Sequence, residues 1–176
     1  MKSNRQFVIP FKGLKIGKHE FVFDIDDKFF EDFPESEITK GNVHVEVELD
    51  KKSTMLQFEF RLTGSATVIC DRCLDNLELP VEYETELFVN FGDETEEQTD
   101  EIIVLSHNEY ELDIAQFIYE YIHFSLPYKR VHPDDENGES TCNKEMLKKL
   151  DEYIIHENEN NTDPRWDDLK NLLNQN

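Results

Sequence analysis

Strict alternation of apolar and polar residues is the feature that most constrains the fold of this chain. Between residues 43 and 49, valine or leucine occupies every second position, with histidine or glutamate between them. Residues 56–62 repeat the alternation, and residues 77–91 extend it over the longest stretch. A period of two places the apolar side chains on one face of a β-strand. The sequence therefore predicts a sheet with one buried and one solvated face, which is typical of antiparallel pairing.

Turn-forming residues divide the predicted strands. The polar residues 50–53 predict a hairpin turn, and Gly64 with Ser65 is expected to interrupt the strand that begins near residue 56. Pro80 lies on the polar face of the longest strand, which predicts an edge position or a bulge because proline donates no backbone hydrogen bond. Residues 93–101 are acidic without a basic side chain, and are expected to form a solvated loop and not a metal site.

Helical periodicity replaces the alternation in the last third of the chain. Asp113 with Gln116 resembles a capping box, and an apolar stripe after it predicts a helix that ends before Pro127. A second helix is predicted after Asn143. A third is predicted from Asp163, which would cap it.

Strands followed by helices predict an α+β fold. We expect a curved antiparallel sheet of six or seven strands, barrel-like, with C-terminal helices packed on it. Residues 1–157 are expected to form a single domain with an N-terminal basic arm, and residues 158–176 a linker and a terminal helix. Trp166 and Leu173 are the residues expected to anchor that helix.

The charge of the chain is large and unevenly distributed. The formal net charge is −22, which weakens non-specific attraction to phosphate or anionic lipid. Residues 1–20, in contrast, contain five lysines and arginines against one glutamate. Two interpretations of this basic arm remain open: it binds RNA or an acidic partner, or it lies across the acidic body.

Three observations favour a cytoplasmic protein. The first residues lack the apolar stretch of a signal peptide. No run approaches the roughly 20 apolar residues that a membrane span needs. The chain has three cysteines, an odd number that argues against a disulfide framework. A membrane partner and a DNA partner are not expected.

A pair of cysteines is the strongest chemical signal in the sequence. Cys70 and Cys73 have the spacing of zinc sites and of redox pairs, and they lie between two predicted strands. Cys142 is the remaining thiol, and His132 in a polar loop is the best fourth ligand for a tetrahedral zinc site. Three interpretations stay open here: a zinc site, reduced thiols that pack in a bend, or a redox pair.

Several short elements together resemble the YceD-like family, the large ribosomal RNA subunit accumulation proteins. In chain order these elements are Gly13-Leu14-Lys15-Ile16-Gly17, Cys70-Asp71-Arg72-Cys73-Leu74, Leu126-Pro127 and Asp163-Pro164-Arg165-Trp166. The resemblance implies a bacterial cytoplasmic protein linked to the synthesis, processing or stability of large-subunit ribosomal RNA, and no enzymatic mechanism. Many members carry a second cysteine pair after the Leu-Pro element, whereas this chain offers His132 and Cys142 there.

We therefore expect a non-enzymatic factor in ribosome biogenesis that binds a large-subunit ribosomal RNA precursor or a basic ribosomal protein. The net charge of −22 predicts that any RNA contact is confined to the basic arm at Lys12, Lys15 and Lys18, with Arg72 as a further contact. The alternative is a thiol redox protein, or a zinc-stabilised acidic interaction module unrelated to the ribosome.

Overall fold

Eight strands, three α-helices and two short 3-10 helices (Arg5–Phe7 and Phe11–Gly13) are defined in the computed structural model, which describes residues 5–99 and 101–154. Their bounds, in chain order, are β1 (Val8–Ile9), β2 (Gly17–Ile25), α1 (Asp27–Glu31), β3 (Lys40–Lys51), β4 (Met55–Ile69), β5 (Asn76–Gly92), β6 (Glu96–Thr99), β7 (Ile102–Ser106), β8 (Leu112–Asp113), α2 (Ala115–Ser125) and α3 (Lys144–Tyr153). The predicted linker and terminal helix, residues 158–176, lie outside the described residues.

Six of the strands form one mixed sheet in the order β2-β3-β4-β5-β7-β6. Every neighbouring pair is antiparallel except β5 and β7, which run parallel. The prediction of a wholly antiparallel sheet was therefore wrong at this one pair. The cause is the acidic segment after β5, part of which forms the exposed strand β6 instead of a loop. Because β6 turns the chain back before β7, β7 points the same way as β5.

The sheet is open along the described chain. Strands β2 and β6 stand at its two ends, and no backbone pairing joins them within residues 5–99 and 101–154. The barrel-like form expected from the sequence is therefore not confirmed.

Gly64 lies inside a continuous strand, which corrects the prediction of a break there. Strand β4 pairs with β3 and β5 on both sides of this residue. The φ of Gly64 is +154°, and a Cβ at this position would lie 2.1 Å from the carbonyl oxygen of Asn42. Glycine is therefore present because two backbones approach closely and not because the strand ends.

Pro80 has the edge position that its chemistry requires. It pairs with Ser65 of β4 on one side, while β7 pairs only with the segment from Phe88 to Gly92. The β4–β5 register is regular through Pro80, so the prediction of an edge position is confirmed and the alternative of a bulge is wrong.

The core lies between the inner face of the sheet and the helices. Alternate residues of β3, β4 and β5 are buried, and α2 covers them with Ile118, Tyr121 and Ile122. Helix α2 starts at Ala115, whose N–H donates to the Asp113 carboxylate. Helix α3 has no fully buried residue and contacts the core through partly buried side chains in its first turn.

The described part of the N-terminal segment belongs to this core. Phe7, Ile9 and Phe11 are all buried, and β1 pairs with β8. The segment therefore packs against the acidic body. None of the helices in the described part of the chain has the length and apolar character needed to cross a membrane.

Candidate metal centre

The bend between β4 and β5 turns two thiols into the protein. The Cys70 N–H donates to the carbonyl oxygen of Asp75 at 2.9 Å, and the Leu74 N–H donates to that of Cys70 at 3.0 Å. Leu74 has a positive φ of 61°, which lets the chain reverse within this short turn. Cys70 and Cys73 are both fully buried as a result, although they occupy a connection between strands.

The loop after α2 is hydrogen-bonded directly to this bend. The Asp71 N–H donates to the Arg130 carbonyl at 2.8 Å, and the Arg130 N–H donates to the Asp71 carboxylate at 2.7 Å. Further along, the Asn143 side-chain amide donates to the Asp75 carboxylate at 3.0 Å. These contacts hold the segment that carries His132 and Cys142 against the two thiols.

The four residues predicted as zinc ligands converge at this point. Their ligand atoms all lie within 4.8 Å of one another. The Sγ atoms of Cys70 and Cys142 are 3.9 Å apart, and His132 Nδ1 lies 3.4 Å from Cys73 Sγ and 3.9 Å from Cys142 Sγ. A tetrahedral zinc ion with ordinary Zn–S and Zn–N bonds would separate its ligand atoms by about 3.5–3.8 Å. The cluster therefore has the dimensions of a Cys3His zinc site.

The orientation of His132 also fits a metal ligand. Its Nε2–H donates to the carbonyl oxygen of Asn76 at 3.1 Å, which leaves Nδ1 with its lone pair directed toward the three sulfurs. A second hydrogen bond of this kind is how proteins fix the tautomer and the ring plane of a metal-binding histidine.

The cluster favours a thiolate even without an ion. Burial acts to raise the pKa of Cys70, but backbone N–H groups of the bend and the His132 side chain outweigh it and lower this pKa to about 6. The hydrogen bond to Cys70 raises the pKa of His132. Burial raises the pKa of Cys73, and the two neighbouring thiols act in the same direction. A cation placed among these groups would stabilise all three thiolates, which is the chemistry of a zinc centre.

Four protein ligands fill a tetrahedron and leave no position for water or substrate. The three cysteines are buried, with exposures of 0%, 0% and 3% for Cys70, Cys73 and Cys142. Such a closed set suits a structural ion that joins separate segments, because a catalytic zinc ion needs an open coordination position.

The basic residues predicted to bind RNA are not brought together. Lys12, Lys15 and Lys18 are exposed, whereas Arg72 lies in the bend and donates to the Ser140 hydroxyl at 3.2 Å. Lys18 shares a cross-strand row with Gln57, near the start of β4. The bend follows Ile69 at the other end of β4, roughly 40 Å further along the strand direction. Arg72 and the lysines therefore do not form one surface.

An ion pair that supports the site was missed by the sequence analysis. The Arg130 guanidinium donates to the Glu37 carboxylate at 2.6 Å and also lies 3.8 Å from Asp71. Nothing local in the sequence marks Glu37, because its partner is 93 residues away. The pair anchors the loop that carries His132 to the segment before β3.

Comparisons with known proteins identify the family. Residues 58–173 match the family described as Large ribosomal RNA subunit accumulation protein YceD. The matched segment begins in β4 and contains all four residues of the cysteine–histidine cluster. Searches of the curated proteins and of the solved structures find no match to this chain. Because the family match covers most of the chain and contains three of the four motifs recognised in the sequence, this protein belongs to the YceD family of large ribosomal RNA subunit accumulation proteins.

Proposed function

We propose that this protein supports the accumulation of large-subunit ribosomal RNA in the cytoplasm as a binding factor without enzymatic activity. Family membership is the observation that carries the link to ribosomal RNA. The absence of catalysis is supported by the closed geometry of the cysteine–histidine cluster, which leaves no open coordination position.

The direct partner that the charge favours is a basic ribosomal protein. RNA binding depends on several lysine or arginine contacts to phosphate, and a chain of net charge −22 repels a phosphate backbone. The same charge attracts a cationic protein and increases its rate of association. An RNA contact through Lys12, Lys15 and Lys18 remains the second candidate, because these side chains are exposed.

Affinity purification from the native cell at graded salt tests this function. We expect a basic large-subunit ribosomal protein, or precursor particles of the large subunit, at low salt and their progressive loss as the salt rises. Sequencing the RNA and identifying the proteins in the same eluate separates the two candidate partners. Recovery of neither at low salt would contradict the proposed function.

We further propose that Cys70, Cys73, His132 and Cys142 bind one zinc ion that acts structurally. Such an ion would join the β4–β5 bend to the loop after α2 and to the start of α3. Because the ligands are far apart in the chain, this cross-link would restrict the unfolded state strongly. Elemental analysis of protein purified without chelator is expected to give one zinc per chain, and metal-free protein of unchanged stability would contradict the assignment.

A thiol redox protein is the alternative function, and the lowered pKa of Cys70 is the observation in its favour. A low pKa increases the thiolate fraction that reacts in disulfide exchange. Burial of all three thiols argues against it, because a redox partner must reach the sulfur. Thiol titration of the zinc-loaded protein is expected to show slow-reacting cysteines, whereas a rapid and reversible disulfide would favour the alternative.

A further inference from the structure

Four glutamates face one another in register across the outer face of the sheet. Glu20 of β2 pairs with Glu48 of β3, Glu48 pairs with Glu59 of β4, and Glu59 pairs with Glu86 of β5. We call these four residues the glutamate row. Because neighbouring strands are about 4.8 Å apart, the row extends about 14 Å across the strands.

This arrangement opposes folding. Like charges directly opposite each other on neighbouring strands are destabilising, and the row contains three such pairs in succession. Within the part of the chain that the structure describes, no cation lies at ion-pair distance from Glu20 or Glu59. A surface that lowers stability in this way is typical of a functional site, since binding compensates the repulsion only when the partner is present.

The row lies in a groove and not on a flat surface. The groove has a volume of about 510 Å³, and the row lines it together with Val22, Arg61 and other residues of the same four strands. Val22 is 58% exposed, so the groove also offers an apolar contact beside its carboxylates. Long lysine and arginine side chains suit such a place, because their methylene stems pack on apolar groups while their charged ends reach carboxylates.

The protein itself shows how the row accepts a cation. The Lys18 ammonium donates a hydrogen bond to Glu48, and this contact raises the pKa of Lys18. In the next cross-strand row, the Arg61 guanidinium donates to Glu84 at 2.6 Å. Arg61 also lies 3.9 Å from Glu46 on the same face. Glu20 and Glu59, which have no such basic partner among the described residues, present the same chemistry outward.

We propose that the outer face of β2–β5, centred on the glutamate row, docks a lysine- or arginine-rich segment of a partner protein. This inference rests on the proposed function, for which it names the binding surface. An extended segment with basic residues at alternate positions would place one every 6–7 Å or so, and three of them would span the row. Nucleic acid does not fit, because its phosphates would face the carboxylates.

Isothermal titration with synthetic peptides tests this surface. The probe is a decapeptide of alternating lysine and serine, and the control peptide carries glutamine in place of lysine. The test variant combines Glu20→Gln, Glu59→Gln and Glu86→Gln. The matched control combines Glu109→Gln, Glu111→Gln and Glu136→Gln, which removes the same charge from exposed residues outside the sheet face.

We expect the row variant to weaken binding of the lysine peptide at least about tenfold, which corresponds to about 1.4 kcal/mol. The matched control should change it less than about twofold, as expected for distant charges screened by salt. The row variant should also melt about 2–4 °C higher than the wild type, because it removes like-charge pairs. Loss of affinity together with a gain in stability distinguishes a binding surface from a structural one.

Equal weakening by the two triple variants would overturn the proposal, since it would indicate a general effect of net charge. Spermine is titrated as a second probe. If spermine binds as tightly as the lysine peptide and loses the same affinity in the row variant, the surface is a site for small cations and the proposal is overturned. Affinity purification of the row variant from cells separates this inference from the proposed function. Equal recovery of a ribosomal partner by wild type and row variant would refute the surface alone, whereas no recovery by wild type would refute the function.

Discussion

At the scale of single residues, Gly64 is the glycine of the described chain where an added Cβ would make the closest contact. A Cβ there would contact the Asn42 carbonyl at 2.1 Å, and the φ of +154° is unfavourable for any side chain. We expect Gly64→Ala to lower the free energy of unfolding by about 2–3 kcal/mol, measured by chemical denaturation. Gly13→Ala is the control, because no heavy atom lies within 4 Å of its Cβ position. Equal losses in the two variants would contradict the close approach.

The zinc assignment makes a second prediction at the residue scale. Cys142→Ala and His132→Ala should each weaken zinc binding at least roughly a hundredfold, since loss of a group that only orients a ligand already costs ten- to a hundredfold. The measurement is competition with a chromophoric chelator. His44→Ala is the control, because this exposed histidine pairs with Asp24 on the outer face of the sheet. Unchanged affinity in both ligand variants would contradict the site.

The sequence indicated which four residues would form a zinc site, as one of three open interpretations, but it did not indicate the contacts that support them. Few residue types bind zinc, and after the cysteine pair Cys142 was the remaining thiol and His132 the best candidate for the fourth ligand. The geometry depends on the pairing of Asp71 with Arg130 and of Arg130 with Glu37. Those contacts join segments that no local pattern connects, because charged residues are frequent throughout this chain and give no signal of their partners.

At the scale of elements, Asn143 connects the start of α3 to the β4–β5 bend. Its Oδ1 accepts hydrogen bonds from the N–H groups of Glu145 and Met146, and its Nδ2 donates to Asp75. We expect Asn143→Ala to cost about 1 kcal/mol through loss of the cap. Hydrogen exchange should show faster opening of α3 with unchanged protection in β3 and β4.

Asn143→Asp separates the two roles of this side chain. Aspartate keeps the helix cap but replaces the amide donor with a second carboxylate beside Asp75. The α3 amides should remain protected while zinc affinity falls, because the segment that carries Cys142 loses its attachment to the bend. A zinc affinity of Asn143→Asp equal to that of the wild type would show that the amide contact has no effect.

The Glu37–Arg130 ion pair makes the attachment of the loop after α2 dependent on pH. The hydrogen bond and charge of Arg130 lower the pKa of Glu37 from its ordinary value of 4.5. A carboxylate with a lowered folded pKa contributes stability above its unfolded pKa, and this contribution is lost as the pH falls through the folded pKa. We therefore expect Glu37→Gln to be less stable than wild type at neutral pH.

The difference in stability between wild type and Glu37→Gln should shrink once the pH falls below 4.5 and disappear when Glu37 is protonated in the folded protein. Thermal unfolding between neutral and acidic pH gives the measurement. Glu35→Gln, an exposed residue two positions away, is the control for loss of one surface charge. A difference between wild type and Glu37→Gln that stays constant at all pH values would contradict the assignment of this ion pair.

Local pattern predicted the hairpin of β3 and β4, strand β5 and helix α2, since each has a buried face of regular period. Strand β6 and the parallel pairing of β5 with β7 could not be predicted in this way. All four residues of β6 are exposed, so no alternation marks it, and its place depends on the backbone edge of β7. Gly64 was misinterpreted for a related reason, because a close approach to β3 is not visible in the sequence of β4.

At the scale of the whole molecule, the charge of −22 should make stability depend on salt. Self-repulsion opposes the compact state, and dissolved ions screen it. We expect the melting temperature to rise by about 2–4 °C from low to physiological ionic strength, which corresponds to about 1 kcal/mol for a chain of this size. A neutral osmolyte at equal osmolality is the control, and a melting temperature that is constant or falls with salt would contradict this expectation.

The order of synthesis gives the cysteine–histidine cluster a further consequence. Cys70 and Cys142 are 72 residues apart, so the ribosome makes the bend on the order of 4–14 s before the last ligand. Throughout that interval Cys70 and Cys73 of the nascent chain lack the loop that encloses them. Both thiols are then accessible to oxidants and to any metal ion that two ligands can bind. The cluster can therefore close only in chains that have been translated beyond residue 142.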